Sequence, residues 1–318
     1  MDGCFVGIDV SKHRLDGCVR RGQTFQYDNA PAGVAAVVEL LRRLPVTLVV
    51  VEATGGLEVP AVRALQQAQI PVAVINPRQA RDFAKASGRL AKTDTIDAEG
   101  LAHLAEALRP EPRPLRDDQT HVLDALVTRR GQLIDMRTME RNRLGNCPDA
   151  KVRQNIQQHL DWLAEHLDAA DKNLAEAVAN HPEWEARDQL QQSVPGVGKV
   201  VSQTLLASLP ELGQLSNREL TALVGLAPYA DDSGRRQGKR RIFGGRAQVR
   251  AMLYMAALTA ARSKSPLREF YQRLRAAGKA PKVALVALAR KLLTVLNAVV
   301  RTQTAYNPAH LAVITCGA

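Results

Sequence analysis

Apolar residues alternate with polar or small ones near residues 4–9, 14–20 and 23–28, and Ser11-Lys12-His13 and Arg21-Gly22 separate these runs as turns. The period then lengthens to that of a helix near 31–44, and a strand follows at 46–51. A helix near 57–68, a short strand Val72-Ala73-Val74-Ile75, and helices around 77–86 and 94–108 complete the first section. The pattern predicts an antiparallel meander leading into β-α alternation. Arg109-Pro110-Glu111-Pro112-Arg113-Pro114 ends it, because each proline removes an amide donor and biases its predecessor away from helix. From about 117 to 180 the chain reads as helical, with Leu160, Leu163, Leu167, Leu174 and Val178 forming a stripe suited to a coiled-coil seam or to packing within one subunit. Cys147-Pro148-Asp149 interrupts it, so the segment is either a hairpin of two long helices or one kinked helix. Helices around 199–208, 216–225, 246–262, 266–277 and 281–301 follow, and the tail after Tyr306-Asn307-Pro308 is expected to be loosely held. The fold class is α/β plus all-α, divided as 1–110, a helical segment at 115–185, a helical domain at 189–305 and a tail at 306–318.

The order of the first section resembles an RNase H-like domain, in which the first and fourth strands are neighbours. That topology makes two carboxylates informative. Asp9 stands at the carboxyl end of Phe5-Val6-Gly7-Ile8, and Glu52 ends Leu48-Val49-Val50-Val51. Open α/β sheets bind ligands in the crevice at such strand ends. In Lys92-Thr93-Asp94-Thr95-Ile96-Asp97 the two aspartates are three apart, so both can point from one helix face into that crevice. Four carboxylates drawn together repel unless a cation neutralises them, and hard oxygen ligands suit Mg²⁺ or Mn²⁺. Two such ions, roughly 3.5–4 Å apart, would stabilise the attacking and leaving oxygens of a phosphoryl displacement. Taken singly, each acid also has an ordinary reading: Asp9 as a turn starter, Glu52 leading into the Ala53-Thr54-Gly55-Gly56 turn, and Asp94 as the N-cap of the helix that holds Asp97.

Lysine and arginine number 43 against 32 acidic residues, a formal net charge of +11. That excess favours a polyanionic partner, DNA or RNA, bound in a salt-sensitive manner. Cys4, Cys18, Cys147 and Cys316 are scattered without metal-ligand spacing, which points to reduced thiols rather than a zinc site or a disulfide framework. Met1-Asp2-Gly3-Cys4 has no basic start followed by an apolar stretch, and no run of about 18 apolar residues appears. A soluble cytoplasmic protein without a membrane partner is expected.

Two further segments carry chemistry. Val194-Pro195-Gly196-Val197-Gly198-Lys199 resembles the hairpin of helix-hairpin-helix modules, where Gly196 and Gly198 would let backbone amides approach phosphate beside Lys199; a plain glycine turn is the alternative. It fails as an ATP-binding loop, since Ser193 stands where that loop needs glycine and Val200 follows the lysine. Asp231-Asp232-Ser233-Gly234-Arg235-Arg236-Gln237-Gly238-Lys239-Arg240-Arg241 is dense in glycine and cation. Between 227 and 250, Arg235, Arg236, Lys239, Arg240, Arg241, Arg246 and Arg250 stand against Asp231 and Asp232. Such a loop suits phosphate, and Ser233 within it is either a turn residue or a hydroxyl nucleophile aided by a metal or base.

Together these motifs resemble one family, the transposases of the insertion-sequence-110 group and its 1111-like subgroup. Gly7-Ile8-Asp9-Val10-Ser11-Lys12, Val51-Glu52-Ala53-Thr54-Gly55, Ile75-Asn76-Pro77 and Lys92-Thr93-Asp94-Thr95-Ile96-Asp97-Ala98 resemble its RuvC-like domain. Pro195-Gly196-Val197-Gly198, Gly225-Leu226-Ala227-Pro228, Asp232-Ser233-Gly234 and Leu253-Tyr254-Met255 resemble its second transposase domain. The resemblance implies that Asp9, Glu52, Asp94 and Asp97 bind Mg²⁺, and that Ser233 attacks DNA to give a transient phosphoserine linkage. It further implies strand exchange through a Holliday-junction-like intermediate. A structured noncoding RNA from the element would pair with donor and target DNA. The resemblance also implies a homo-oligomer, dimer or tetramer, acting at the prokaryotic nucleoid. Many relatives carry a serine- or threonine-rich run after the serine; here Arg235-Arg236-Gln237-Gly238-Lys239-Arg240-Arg241 departs from it. Two other readings stay open: a RuvC-like junction resolvase or nuclease that activates water with the same acids, and a noncatalytic nucleic-acid scaffold.

Overall fold

The computed structural model describes residues 3–88, 94–112, 118–230, 232–233, 238 and 240–308, with the side chains of residues 94–96 and 118 outside the description. Two compact units, Met1–Arg116 and Asp117–Ala318, divide the chain.

The first unit is built on five strands: β1 (Cys4–Val10), β2 (Arg14–Val19), β3 (Thr24–Asp28), β4 (Val46–Glu52) and β5 (Val72–Ile75). They lie in the order β3-β2-β1-β4-β5. The first three form the antiparallel meander, whereas β4 runs parallel to both β1 and β5. This mixed sheet is consistent with an RNase H-like domain. Parallel neighbours need crossover helices, supplied by α1 (Pro31–Arg42) and α2 (Val59–Gln67), each with proline at its start, where a missing amide costs nothing. Two further helices follow, α3 (Pro77–Ala86) and α4 (Asp94–Leu108).

Alternation along the strands sorts the side chains onto two faces. Val6, Ile8 and Val10 pack with Val37 and Leu41 of α1 and with Val62 and Leu65 of α2. Phe5, Leu48, Val50, Ala73 and Ile75 pack with Leu101, Leu104 and Ala105 of α4. Asp9 and Glu52 fall on the α4 face, two residues beyond Gly7 and Val50.

The second unit is helical. α5 (Asp118–Asn146) and α6 (Ala150–Ala179) form an antiparallel hairpin rather than a kinked rod. Leu123 and Val127 meet Leu174 and Val178, Leu133 meets Leu163 and Leu167, and Arg130 pairs with Asp171. Asp149 starts α6 by accepting from the amide of Val152 at 2.9 Å. α7 (Pro182–Gln192), absent from the sequence reading, leads to α8 (Lys199–Ser208) and α9 (Asn217–Val224), the latter opened by a full capping box between Ser216 and Glu219. A two-stranded ribbon, β6 (Pro228–Tyr229) with β7 (Arg241–Ile242), precedes α10 (Ala247–Ala260), α11 (Pro266–Ala276) and α12 (Pro281–Thr302).

α12 is long and apolar enough on average to cross a membrane, yet it is the core helix of this unit: Leu288, Leu292 and Leu296 are fully buried among residues of α8, α9, α10 and α11. Asn297 shares that interior without a penalty. Its carbonyl accepts from the Gly213 amide at 2.7 Å, and its amide donates to Leu215 O and Asn217 Oδ1. The start of the tail is tied down, with the Tyr306 amide donating to Ser193 Oγ at 2.8 Å; residues 309–318 lie outside the described residues.

Candidate active site and nucleic-acid interface

The parallel pairing of β1 with β4 places Ile8 opposite Val51, so the next residues, Asp9 and Glu52, end adjacent strands side by side. Both are half-buried. α4 is brought to the same place by Gly7. A Cβ on Gly7 would stand 2.6 Å from Leu101 Cβ and nearer still to the carbonyl oxygen of Ala98 and the amide of Ala102. Only hydrogen fits between strand and helix there. Asp97 precedes Ala98, and Leu101 and Leu104, four and seven residues on, are buried against the sheet, so Asp97 belongs to the sheet-facing side of α4. Asp94 opens α4, and its side chain lies outside the described residues.

The far end of α4 is held by charge. Arg20 Nε donates to Glu106 at 2.7 Å, and Arg21 lies 3.2 Å from the other carboxylate oxygen. The hydrogen bond from Arg20, with the charges of Arg21, Arg20 and His103, holds the Glu106 carboxyl below the usual carboxylate range despite some desolvation.

Two acids missed in the sequence reading bear on the same strand ends. Asp16 is directly opposite Asp9 in the β1–β2 ladder and is 6% exposed. Gln26 donates to it at 2.6 Å and Arg14 lies 3.7 Å away, which offsets the repulsion between facing carboxylates. Glu58, 8% exposed, accepts from the amides of Thr54 at 3.0 Å and Gly56 at 2.9 Å, tying down the loop that leaves Glu52. Asn29 bridges the neighbouring turns, donating to Ser11 O and Leu57 O.

Carboxylates on adjacent strand ends are the hard donors that Mg²⁺ or Mn²⁺ requires. Among the described residues no group of three or more histidine, cysteine, aspartate or glutamate side chains is close enough to hold a metal. The residue types of Asp9 and Glu52 and their place on the sheet suit such an ion, but Asp97 does not complete a group of three with them, and the Asp94 side chain lies outside the described residues.

In the second unit, Ser233 lies in the loop closed by β6 and β7, exposed and in a bridge-type pairing. Asp232 crosses this loop, accepting from the Gly238 amide at 3.0 Å. Arg240 and Arg241 are exposed; Arg235, Arg236 and Lys239 lie outside the described residues. At the base of the ribbon the backbones of Gly225 and Gly244-Gly245 touch so closely that a Cβ on Gly225 would overlap the Gly244 carbonyl. Arg250 bridges the same two segments, donating to Val224 O at the end of α9 and to Gly244 O after β7. Arg246 is held by a partner within the fold: both terminal nitrogens bond Glu211 at 2.6 Å, and one also reaches Ser208 O at 2.9 Å.

The glycines of the Val194–Lys199 turn do different work. Gly196, at φ +93°, rests against α10, where a Cβ would stand 2.9 Å from Ala260 Cβ, so packing and backbone conformation both require it. Gly198 is exposed, has open space where a Cβ would sit, and caps α8 just before the exposed Lys199. An open groove of about 420 Å³ runs past Gly198, Val201, Met255 and Thr259.

Acidic strand ends in one unit and a cation-rich serine loop in the other suit an enzyme that cuts and rejoins DNA, and the comparisons agree. A family model described as Transposase matches residues 6–149, and one described as Transposase IS116/IS110/IS902 family matches residues 188–272. The pilin gene-inverting proteins of Moraxella lacunata and Moraxella bovis are each 26% identical to the chain over 316 residues, covering 95% of it and 97% of their own length. The 44.8 kDa protein of insertion element IS116 from Streptomyces clavuligerus is 29% identical over 199 residues, 62% of this chain and 47% of that one. The protein is a DNA transposase or recombinase. Its two halves are similar to transposase domain models, the second of them described for the IS116/IS110/IS902 family.

Proposed function

We propose that the enzyme moves an insertion element by cutting and rejoining DNA through a serine-linked intermediate, with Asp9, Glu52, Asp94 and Asp97 holding Mg²⁺ in an RNase H-like site. The observation that carries this reading is the placement of Asp9 beside Glu52 under the helix that bears the other two acids. Bound there, Mg²⁺ would withdraw charge from a scissile phosphate. The chain's own part is to set Asp9 and Glu52 side by side on the sheet face that α4 covers, and to present Ser233 on a loop whose cations draw in the backbone.

In the covalent step the bond from Ser233 Oγ to phosphorus forms as one phosphorus–oxygen ester bond of the DNA breaks. The serine proton leaves to solvent or to a nearby base, and the displaced DNA oxygen takes up a proton as a free hydroxyl. Attack by a DNA hydroxyl on the phosphoserine reverses the sequence and reseals a strand. One ester replaces another at each stage, so rejoining needs no nucleotide cofactor. Strand exchange through a junction intermediate then connects donor and target. Choice of site falls to a structured RNA of the element, with the protein holding backbone and shape as other guided enzymes do. The full-length likeness to proteins named for inverting a pilin gene supports a reaction that conserves and rejoins strands. The assembly is a homo-oligomer working on chromosomal DNA in a bacterial cytoplasm.

The test is a trapped adduct. Protein loaded with its RNA is incubated with cognate DNA and Mg²⁺, denatured and resolved by mass. A covalent protein–DNA species that disappears with Ser233→Ala supports the reading. Cleavage without any adduct would transfer the role of nucleophile to water and overturn it.

A further inference from the structure

A second concentration of positive charge lies outside the serine loop. Residues 262–291 contain nine lysines and arginines against one acid, Glu269, in a chain whose whole excess is +11. The stretch forms α11, the turn at Gly278 and the first half of α12, and the second family match ends inside it, at residue 272. We propose that this α11–α12 hairpin is a second DNA-binding surface, gripping the phosphate backbone of duplex DNA at a place separate from the serine loop. The proposal rests on the enzyme's action on DNA, and it stands whether or not Ser233 is the nucleophile.

The fold makes a surface of these cations. Leu267, Phe270 and Tyr271 turn one side of α11 into the core, which leaves Arg268 and Arg275 together on an exposed flank seven residues apart. Arg275 donates to Lys279 O, fixing it at the turn, and the Arg273 guanidinium lies over the Phe270 ring at 5.4 Å. Across the hairpin, Lys291 of α12 is half-buried and next to the exposed Arg290. Burial, and then the nearby charge of Arg273, hold the Lys291 amine below its usual range. Among the described residues none of these side chains has a carboxylate partner in an ion pair.

Like charges packed at this density repel each other, and among the described residues no ion pair offsets them; a polyanion would. α11 alone is about 16 Å long at roughly 1.5 Å per residue, enough to pass several phosphates of one strand at about 3.4 Å each. Arginine dominates, and its planar fork suits phosphate oxygens. DNA is the occupant because it is the polyanion on which this family acts.

The test measures binding of the full chain to a fluorescent mixed-sequence DNA duplex over a range of salt, with an unlabelled RNA hairpin in a parallel arm. Each phosphate contact contributes about 0.9 to the slope of log affinity against log salt. Arg268→Glu with Arg275→Glu, and separately Arg273→Gln with Lys291→Gln, should each make the DNA slope shallower by about 2 and weaken binding at low salt. Arg268→Lys with Arg275→Lys should keep it. If the glutamate pair fails to fold by circular dichroism, the milder glutamine pair is decisive. An unchanged DNA slope in a folded variant overturns the proposal, as does a change seen with RNA alone. Loss of the serine adduct would leave these slopes as expected, so the two readings fail separately.

Discussion

Gly7 of β1 and Ala98 of α4 meet without a side chain between them, and a methyl group on Gly7 would overlap the Ala98 carbonyl. This contact sets how close α4, with Asp97 one residue before Ala98, comes to the strand that carries Asp9 near its end. Gly7→Ala cannot be absorbed by turning a side chain, because the obstructing atoms are backbone. The substitution should cost about 1–3 kcal/mol, the usual range for overpacking, and displace α4 from the sheet. Denaturant unfolding gives the first quantity; loss of cleavage with nucleic-acid binding retained gives the second.

Glu58 holds the loop after Glu52 through two amides in a buried setting. Glu58→Ala leaves both donors without their acceptor and should destabilise the protein by about 1–3 kcal/mol. If Glu52 binds metal, the same change raises the Mg²⁺ concentration needed for half-maximal cleavage. Glu58→Gln keeps one acceptor oxygen and should recover much of both losses. A magnesium titration of the two variants, beside their melting temperatures, separates a positioning role from a purely structural one.

Arg246 differs from the other cations of its segment because Glu211 engages it with two hydrogen bonds. Arg246→Ala should therefore lower stability by about 1–3 kcal/mol, the range for charge-assisted bonds, and leave the salt slope of DNA binding unchanged. Arg240→Ala, at an exposed position, should do the reverse. Thermal melts and salt titrations of both proteins check the pair.

The link between Glu106 and Arg20 has a definite pH signature. The folded carboxyl titrates below its ordinary value, so its stabilising contribution is complete above the unfolded pKa and is lost as pH falls through the folded one. Glu106→Gln should be less stable than the parent at neutral pH, and the two melting temperatures should converge in acid below the usual carboxylate range. Melting curves across that range give the result.

Much of this architecture was legible in the sequence. Alternation in Phe5–Val10 and the continuous apolar run Leu48–Val51 identify two core strands, and the order of elements makes them neighbours, which is why Asp9 and Glu52 could be paired from 43 positions apart. What escaped depends on register or on distant partners. Asp16 reads as one acid within the 14–20 strand until the β1–β2 ladder sets it opposite Asp9. α7 has few apolar residues, among them Trp184 and Leu190, so its period is weak. β6 and β7 are two residues each, too short to alternate. Arg246 looks like its basic neighbours because Glu211, its partner, is 35 residues upstream. The cations of α11 and α12 are plain in the sequence, but their concentration on one hairpin emerges only once α11 is seen to bury its apolar side.

The claim on which the mechanism depends is that Asp9, Glu52, Asp94 and Asp97 share bound metal when DNA is in place. Anomalous diffraction from crystals of the assembled complex with RNA, DNA and Mn²⁺ measures this directly. The account predicts manganese density bounded by these four carboxylates and touching a DNA phosphate. Four carboxylates held apart, with manganese absent from among them, would contradict it.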